Sequence, residues 1–278
     1  MTGGNESPSY QQGMIFLHRR DFHGARRCFE EALREARPAG EPERLMPVLG
    51  NLGNVLAALG EREEARRCYL EILELQRRAL DVTTVGQTLV NLGNLSRELG
   101  ERDRARAYYL EAEELLEQAG DDRSLGLLFS NFGLLEQDEG KTEDAVKSFS
   151  RAIDLHKKSG HEEGLAATWG QLGRAYLRLG DDRRAETSLN FSCTHYEQLG
   201  IPAGQIDALR LLSRLYEDRD DPELALRCLT RLEEIRLRLG PPESFQASSD
   251  DTPGERDQER ARLERLSQMV KSQKRRDR

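Results

Sequence analysis

The chain has 278 residues, 37% of them apolar and 33% charged, against a typical charged share of about 25%. Forty-two Lys plus Arg against fifty Asp plus Glu leave a net charge of −8 and a pI near 5.4, which argues against a protein devoted to coating nucleic acid. No apolar run approaches the roughly 20 residues of a membrane span, and the opening MTGGNESPSYQQG lacks the basic and apolar regions of a secretory signal, so a soluble, cytoplasmic protein is expected.

Residues 1–6 read as a flexible N-terminus, and an internal repeat begins directly after them. QQGMIFLHRR (from Gln11), NLGNVLAALG (Asn51), NLGNLSRELG (Asn91), NFGLLEQDEG (Asn131), QLGRAYLRLG (Gln171) and LLSRLYEDRD (Leu211) each start 40 residues after the last. An alanine recurs in phase at Ala25, Ala65, Ala105, Ala145, Ala185 and Ala225, followed four residues later by Phe29, Tyr69, Tyr109, Phe149, Leu189 or Leu229. The units run about 7–45, 46–85, 86–125, 126–165, 166–205 and 206–240. Each reads as two antiparallel helices, A and B. In the third, helix A covers about Val85 to Leu99 and ends at Gly100, since glycine tolerates the left-handed conformation of a helix C-terminus. Helix B covers about Asp103 to Gln118, with Ala105, Tyr109, Ala112 and Leu116 at helical spacing. Gly93 and Ala105 let the two helices approach closely while Tyr109 fills the space beside them. Cys28, Cys68 and Cys228 share one repeat position, which marks them as packing residues. With no CxxC, neither a disulfide nor a zinc framework is expected. After the repeats, 241–254 reads as a disordered Pro/Ser/Asp linker. Residues 255–278 form a charged tail that could be helical, with Leu263, Leu266 and Val270 on one stripe, either capping the stack or free of it.

This pattern resembles the tetratricopeptide repeat, whose W-x2-L-G-x2-Y and A-x3-F signature is met best by Trp169, Leu172, Gly173, Tyr176, Ala185 and Leu189. With 40-residue units and NLGN openings, the chain is similar to the Pins-type G-protein signalling modulator scaffolds and, more loosely, to kinesin light chain. The resemblance implies an all-α fold, a right-handed α-solenoid of six tandem helix-turn-helix units, because a single helical pair cannot bury its apolar face alone. It also implies that helix A lines the concave face and that asparagines there contact peptides.

On helix A, residues three apart share a stripe. That stripe holds Asn51 and Asn54, Asn91 and Asn94, Asn131 with Leu134, Gln171 and Arg174, and Leu211 and Arg214, with Arg178 and Arg210 nearby. It is amide-rich first and arginine-rich later. Amides donate and accept as a peptide backbone does, and arginines hold carboxylates in a bidentate fork. A groove for an extended segment of another protein, acidic toward the C-terminal units, is one reading; amides tying neighbouring helices together is the other. The lysines of a chaperone-type carboxylate clamp are missing from the stripe, and the tail carries no G-protein-binding motif, so neither partner class is carried over.

Enzyme-like fragments dissolve on the repeat. Gly140-Lys141-Thr142 sits in an A–B turn, and the earlier glycine of a phosphate loop would fall at Leu135. His161-Glu162-Glu163 lacks a second histidine four residues on, and His18, His23, His156 and His195 are scattered. No catalytic set, metal or cofactor is expected, and the chain reads as a non-enzymatic adaptor. Residues 254–278 carry nine basic side chains against five acidic ones. They could touch nucleic acid, a membrane surface or an acidic partner, fold back on the acidic repeats, or remain a solvated end. A regulatory protein that binds nucleic acid or an effector through this tail is the competing function. Self-association through open solenoid ends is a further partner class.

Overall fold

A computed structural model describes residues 7–239 and 252–276. The N-terminal segment 1–6 and most of the segment read as a linker lie outside the described residues. Among those described the protein is all-α, with thirteen helices: α1 (Pro8–His18), α2 (Phe22–Ala36), α3 (Pro42–Ala58), α4 (Arg62–Ala79), α5 (Val82–Glu98), α6 (Arg102–Ala119), α7 (Asp122–Asp138), α8 (Thr142–Ser159), α9 (Glu162–Arg178), α10 (Asp182–Leu199), α11 (Pro202–Asp218), α12 (Pro222–Leu239) and α13 (Pro253–Arg276). They form six sequential antiparallel pairs of the α-solenoid class, and α13 follows. The chain divides within α7, between Leu128 and Phe129, into two compact units.

The helix ends keep a twenty-residue metre. Left-handed backbone occurs at Arg20, Gly40, Gly60, Leu80 and so on to Asp220, with glycine at eight of these eleven positions. A left-handed residue lets the chain reverse within one residue while satisfying the last helical carbonyls. At several turns an aspartate follows at once and caps the next helix. The carboxylates of Asp21, Asp81, Asp121 and Asp221 accept the N–H groups of Gly24, Thr84, Ser124 and Leu224 at 2.8–3.2 Å.

Within each pair the in-phase residues form the contact. All six recurring alanines are wholly buried, and the six bulky residues four positions on are at most 4% exposed. Facing them on the first helix are Gly13, Gly53, Gly93, Gly133 and Gly173. A Cβ on Gly93 would lie 2.2 Å from Tyr109 Cε1, and one on Gly133 2.6 Å from Phe149 Cε1. The backbone of helix A therefore lies directly on the side chain of helix B. Consecutive helices touch within each unit, α1 through α6 in the first and α8 through α13 in the second.

The high charge content becomes a ladder of ion pairs between the second helices of neighbouring pairs. Arg26 meets Glu61 at 2.6 Å and Arg66 meets Glu101 at 2.9 Å, the same contact one repeat later. Arg37–Glu71 (2.9 Å) and Arg77–Glu111 (2.5 Å) repeat in the same way. Exposed pairs of this kind contribute about 0–1 kcal/mol each, so they serve register more than stability.

The helix α13 docks on α11 and α12. Leu266 is buried against Leu212, Tyr216 and Leu229. Beside it Glu259, 3% exposed, accepts from Arg210 Nε at 2.5 Å and Arg236 Nη2 at 2.7 Å. Arg262 and Arg265 both reach Glu217, and Lys274 reaches Glu223 at 3.0 Å. Much of the basic surplus of the tail thus faces carboxylates of the repeats.

Replacing Leu80 (84% exposed, φ 58) with glycine removes a left-handed non-glycine residue and should raise stability by about 1 kcal/mol. Gly93→Ala should lower it by about 2 kcal/mol, since the Tyr109 ring must move. Urea unfolding of both variants beside wild type checks the two signs.

Candidate functional site

The stripe residues all sit on the first helices of their pairs: α3, α5, α7, α9 and α11. In the first unit the amides have partners. Asn51 Nδ2 donates to Tyr10 OH at 2.9 Å and lies 3.5 Å from Met14 Sδ, which ties α3 to α1. Tyr69 OH donates to Asn54 Oδ1 at 2.5 Å, and Tyr109 OH to Asn94 Oδ1 at 2.7 Å. These are the two tyrosines at the repeat's bulky position. Where that position holds Phe149, Leu189 or Leu229, the facing residue is Leu134, Arg174 or Arg214 rather than asparagine. Asparagine and tyrosine thus appear together and vanish together, a correlation visible along the chain that the stripe argument overlooks. The amide oxygens of Asn54 and Asn94 are engaged, while their Nδ2 groups have no partner among the described residues. Asn91 is half-buried on the same stripe.

In the second unit Asn131, Gln171 and Arg174 are half-buried, and Arg178 is exposed. A cavity of about 90 Å³ opens between α9, α10 and α11, with Gln171, Arg174, Tyr196 and Asp207 in its walls. Arg174 and Arg178 have no ion pair among the described residues. Their neighbours in the stripe are different. Arg210, 4% exposed, holds Glu259 and also Asp207 at 3.0 Å; Arg214 holds Glu255 at 3.1 Å. The arginine-rich end of the stripe is therefore occupied in part by carboxylates of α13, a pairing over a span of 41–49 residues that no repeat pattern encodes.

A polar chain elsewhere in this unit also escapes sequence reasoning. His156 is wholly buried, its Nε2 3.3 Å from Ser130 Oγ and its Nδ1 3.3 Å from His161 Nδ1. Thr168 Oγ1 donates to Gly164 O at 2.7 Å and lies 2.7 Å from Ser130 Oγ. With both imidazoles neutral, a tautomer of each would let every donor in the run pass to the next acceptor. Of the histidines, His156 and His161 are thus brought together by the hairpin between α8 and α9. Among the described residues no group of three or more His, Cys, Asp or Glu could hold a metal ion.

The sequence profile of the tetratricopeptide repeat matches residues 45–118 and 124–198, more than half of the chain. The chain belongs to the tetratricopeptide repeat family. No curated protein matches it in sequence. Among solved structures it is similar to BtubC (BKLC) from P. vanneervenii, at 20% identity and a TM-score of 0.66 over 88% of this chain and 100% of that one. A Rap protein complexed with competence and sporulation factor matches at 14% identity and 0.66, over 95% and 75% of the two chains. A putative kinesin light chain from Podospora anserina with nearly identical TPR-like repeats matches at 16% and 0.57, over 71% and 96%. Identities this low carry the fold alone. Tetratricopeptide repeats mediate protein–protein interactions and are typically non-catalytic scaffolds. No helix among the described residues is long and apolar enough to cross a membrane.

Burial sets the ionisation of the core. It pushes the Cys68 and Cys228 thiols up to about 11, and the phenols of Tyr196 and Tyr216 up to about 12, the last aided by its bond to Glu186. Burial raises Tyr69 as well. The raised values favour the neutral forms in the folded state, so this stability is complete below the unfolded thiol and phenol values of about 8.5 and 10, and is lost as pH climbs through the folded ones. The urea midpoint should hold level near pH 8 and fall steadily from pH 9 to 11. Tyrosine ionisation followed at 295 nm should lag behind that of free tyrosine until the fold is lost.

Proposed function

We propose that this tetratricopeptide repeat protein is a non-enzymatic adaptor that holds an extended segment of another protein on its helix-A face. The amide stripe with Asn54, Asn91 and Asn94 serves the first unit; Asn131, Gln171, Arg174 and Arg178 serve the second. The observation that carries this reading is Arg174. Most arginines on the helix faces already hold a carboxylate, but among the described residues its guanidinium holds none and lines a cavity of about 90 Å³. A guanidinium half-withdrawn from water, with the nearby Asp207 already held by Arg210, favours an incoming carboxylate, with two parallel N–H donors to fix its orientation. Gln171 next to it and the free Nδ2 groups of Asn54 and Asn94 supply donors suited to peptide carbonyls. Partner chemistry follows: an extended segment with Asp or Glu where it meets α9.

Arg174→Glu tests the reading without touching the asparagines that secure Tyr69 and Tyr109. Affinity capture from the native lysate, quantified by mass spectrometry, should show a partner retained by wild type and reduced at least tenfold by the variant, with circular dichroism unchanged. Raising salt from 0.05 to 0.5 M should weaken the wild-type complex. Equal capture by both proteins would move the site off the helix-A face.

A further inference from the structure

The ion-pair ladder identifies one seam that differs from the rest. Between second helices of neighbouring pairs, side chains 34 residues apart face each other: Arg37 and Glu71, Arg77 and Glu111, and, with the signs exchanged, Glu197 and Arg231 at 2.6 Å. At the seam between α8 and α10 the same two positions hold Lys157 and Phe191. No carboxylate answers the cation there. Lys157 Nζ lies instead 5.6 Å from the Trp169 ring centroid, and Lys157 has no ion pair among the described residues. Phe191 stacks on Trp169 at 5.0 Å between centroids and 25° between planes, yet remains 47% exposed. One repeat earlier the counterpart of Trp169, Phe129, is covered by Arg151, the counterpart of Phe191, at 3.8 Å. At the α8–α10 seam an exposed ring, Phe191, is thus stacked on the half-buried Trp169 beside a cation with no ion pair among the described residues.

Beside Trp169 and Lys157, which line it, opens a cavity of about 310 Å³ with Ile153, Leu172, Tyr176 and Arg184 also in its walls. Arg184 lies 4.6 Å over the Tyr176 ring while holding Asp181 at 2.5 Å. Trp169, Leu172 and Tyr176 project from α9 roughly opposite Gln171 and Arg174, by the rotation of about 100° per residue of an α-helix. This surface is therefore separate from the helix-A stripe.

We propose that the α8–α10 seam is a second docking surface, which takes a protein segment carrying an aromatic or leucine side chain with a carboxylate next to it. The apolar side chain lies against Phe191 and Trp169 and covers the cavity. The carboxylate supplies the counter-charge that Glu71 and Glu111 supply at the earlier seams. A half-exposed stacked ring is the type of residue that anchors interfaces, because it buries large area at little entropic cost. The charge balance selects a peptide over a nucleic acid. One unpaired ammonium suits one or two carboxylates, whereas a phosphate backbone would meet Asp154 in the cavity wall and Glu162, which faces His195 one turn beyond Phe191.

Trp169 is the only tryptophan of the chain, so its emission reads this surface directly. The probes are nine-residue peptides with Phe, Leu or Ala at the centre and Asp, Ser or Lys on both sides, with oligouridylate as the nucleic-acid arm. Titrated into the full chain, Asp-flanked Phe or Leu should give a saturable emission change, with half-saturation at least tenfold lower than for Lys-flanked peptides. Lys157→Glu and Phe191→Ala should each weaken it about tenfold or more, and Arg174→Glu should leave it unaltered. Phe191→Glu rebuilds the ion pair of the earlier seams. It should abolish the response without lowering the melting temperature, which separates loss of the surface from loss of the fold. No saturable change up to millimolar peptide, equal responses to the three flanks, a response undiminished by Lys157→Glu, or a stronger one to oligouridylate would each overturn the proposal.

Discussion

The stacking of the helical pairs depends on a left-handed residue at every twentieth position from Arg20 to Asp220. Each reversal places the next helix antiparallel to the last and in fixed phase with it, so the side chains that meet in one pair meet again forty residues later. The constraint tolerates poor residues when the neighbours are good. Arg20, Leu80 and Asp220 adopt the same backbone as the eight glycines, because the flanking helices, each with a packed face, leave the chain no other way to turn.

Given that phase, helix contact is settled by size. A glycine on the first helix faces a ring or leucine on the second, with an alanine one turn before it, in five of six pairs; the sixth substitutes the buried Ser213. The first unit adds a polar lock, the phenol of Tyr69 or Tyr109 donating to an asparagine across the pair. The stripe amides are thus neither purely structural nor purely available. The amide oxygen of each of Asn54 and Asn94 is committed, while its Nδ2 has no partner among the described residues.

Charge is distributed by the same repetition. A third of the residues are charged, yet on the helix faces most are spent on neighbours, along the seams and beneath α13. The unanswered cations then carry information. Arg174 on one side of α9 and Lys157 above the opposite side stand out only because their repeat equivalents are paired or differ in type. Glu259 shows what an answered pair looks like here: a buried carboxylate between Arg210 and Arg236, whose loss would leave two cations out of water.

The repeat, the Gly93–Tyr109 contact and the all-α class were legible in the chain because they arise from residues within twenty positions of one another, where spacing alone decides who meets whom. The Asn–Tyr lock was legible too, had the two rows of positions been read side by side. The pairing of Arg210 and Arg214 with α13 was not, since it joins segments more than forty residues apart across no periodic register. The buried chain from His161 through His156 to Ser130 and Thr168, and the stacking of Phe191 on Trp169, likewise needed coordinates. Local propensity and repeat phase place backbones; only the packed helices decide which side chains find a counter-charge or a cover and which are left for a partner.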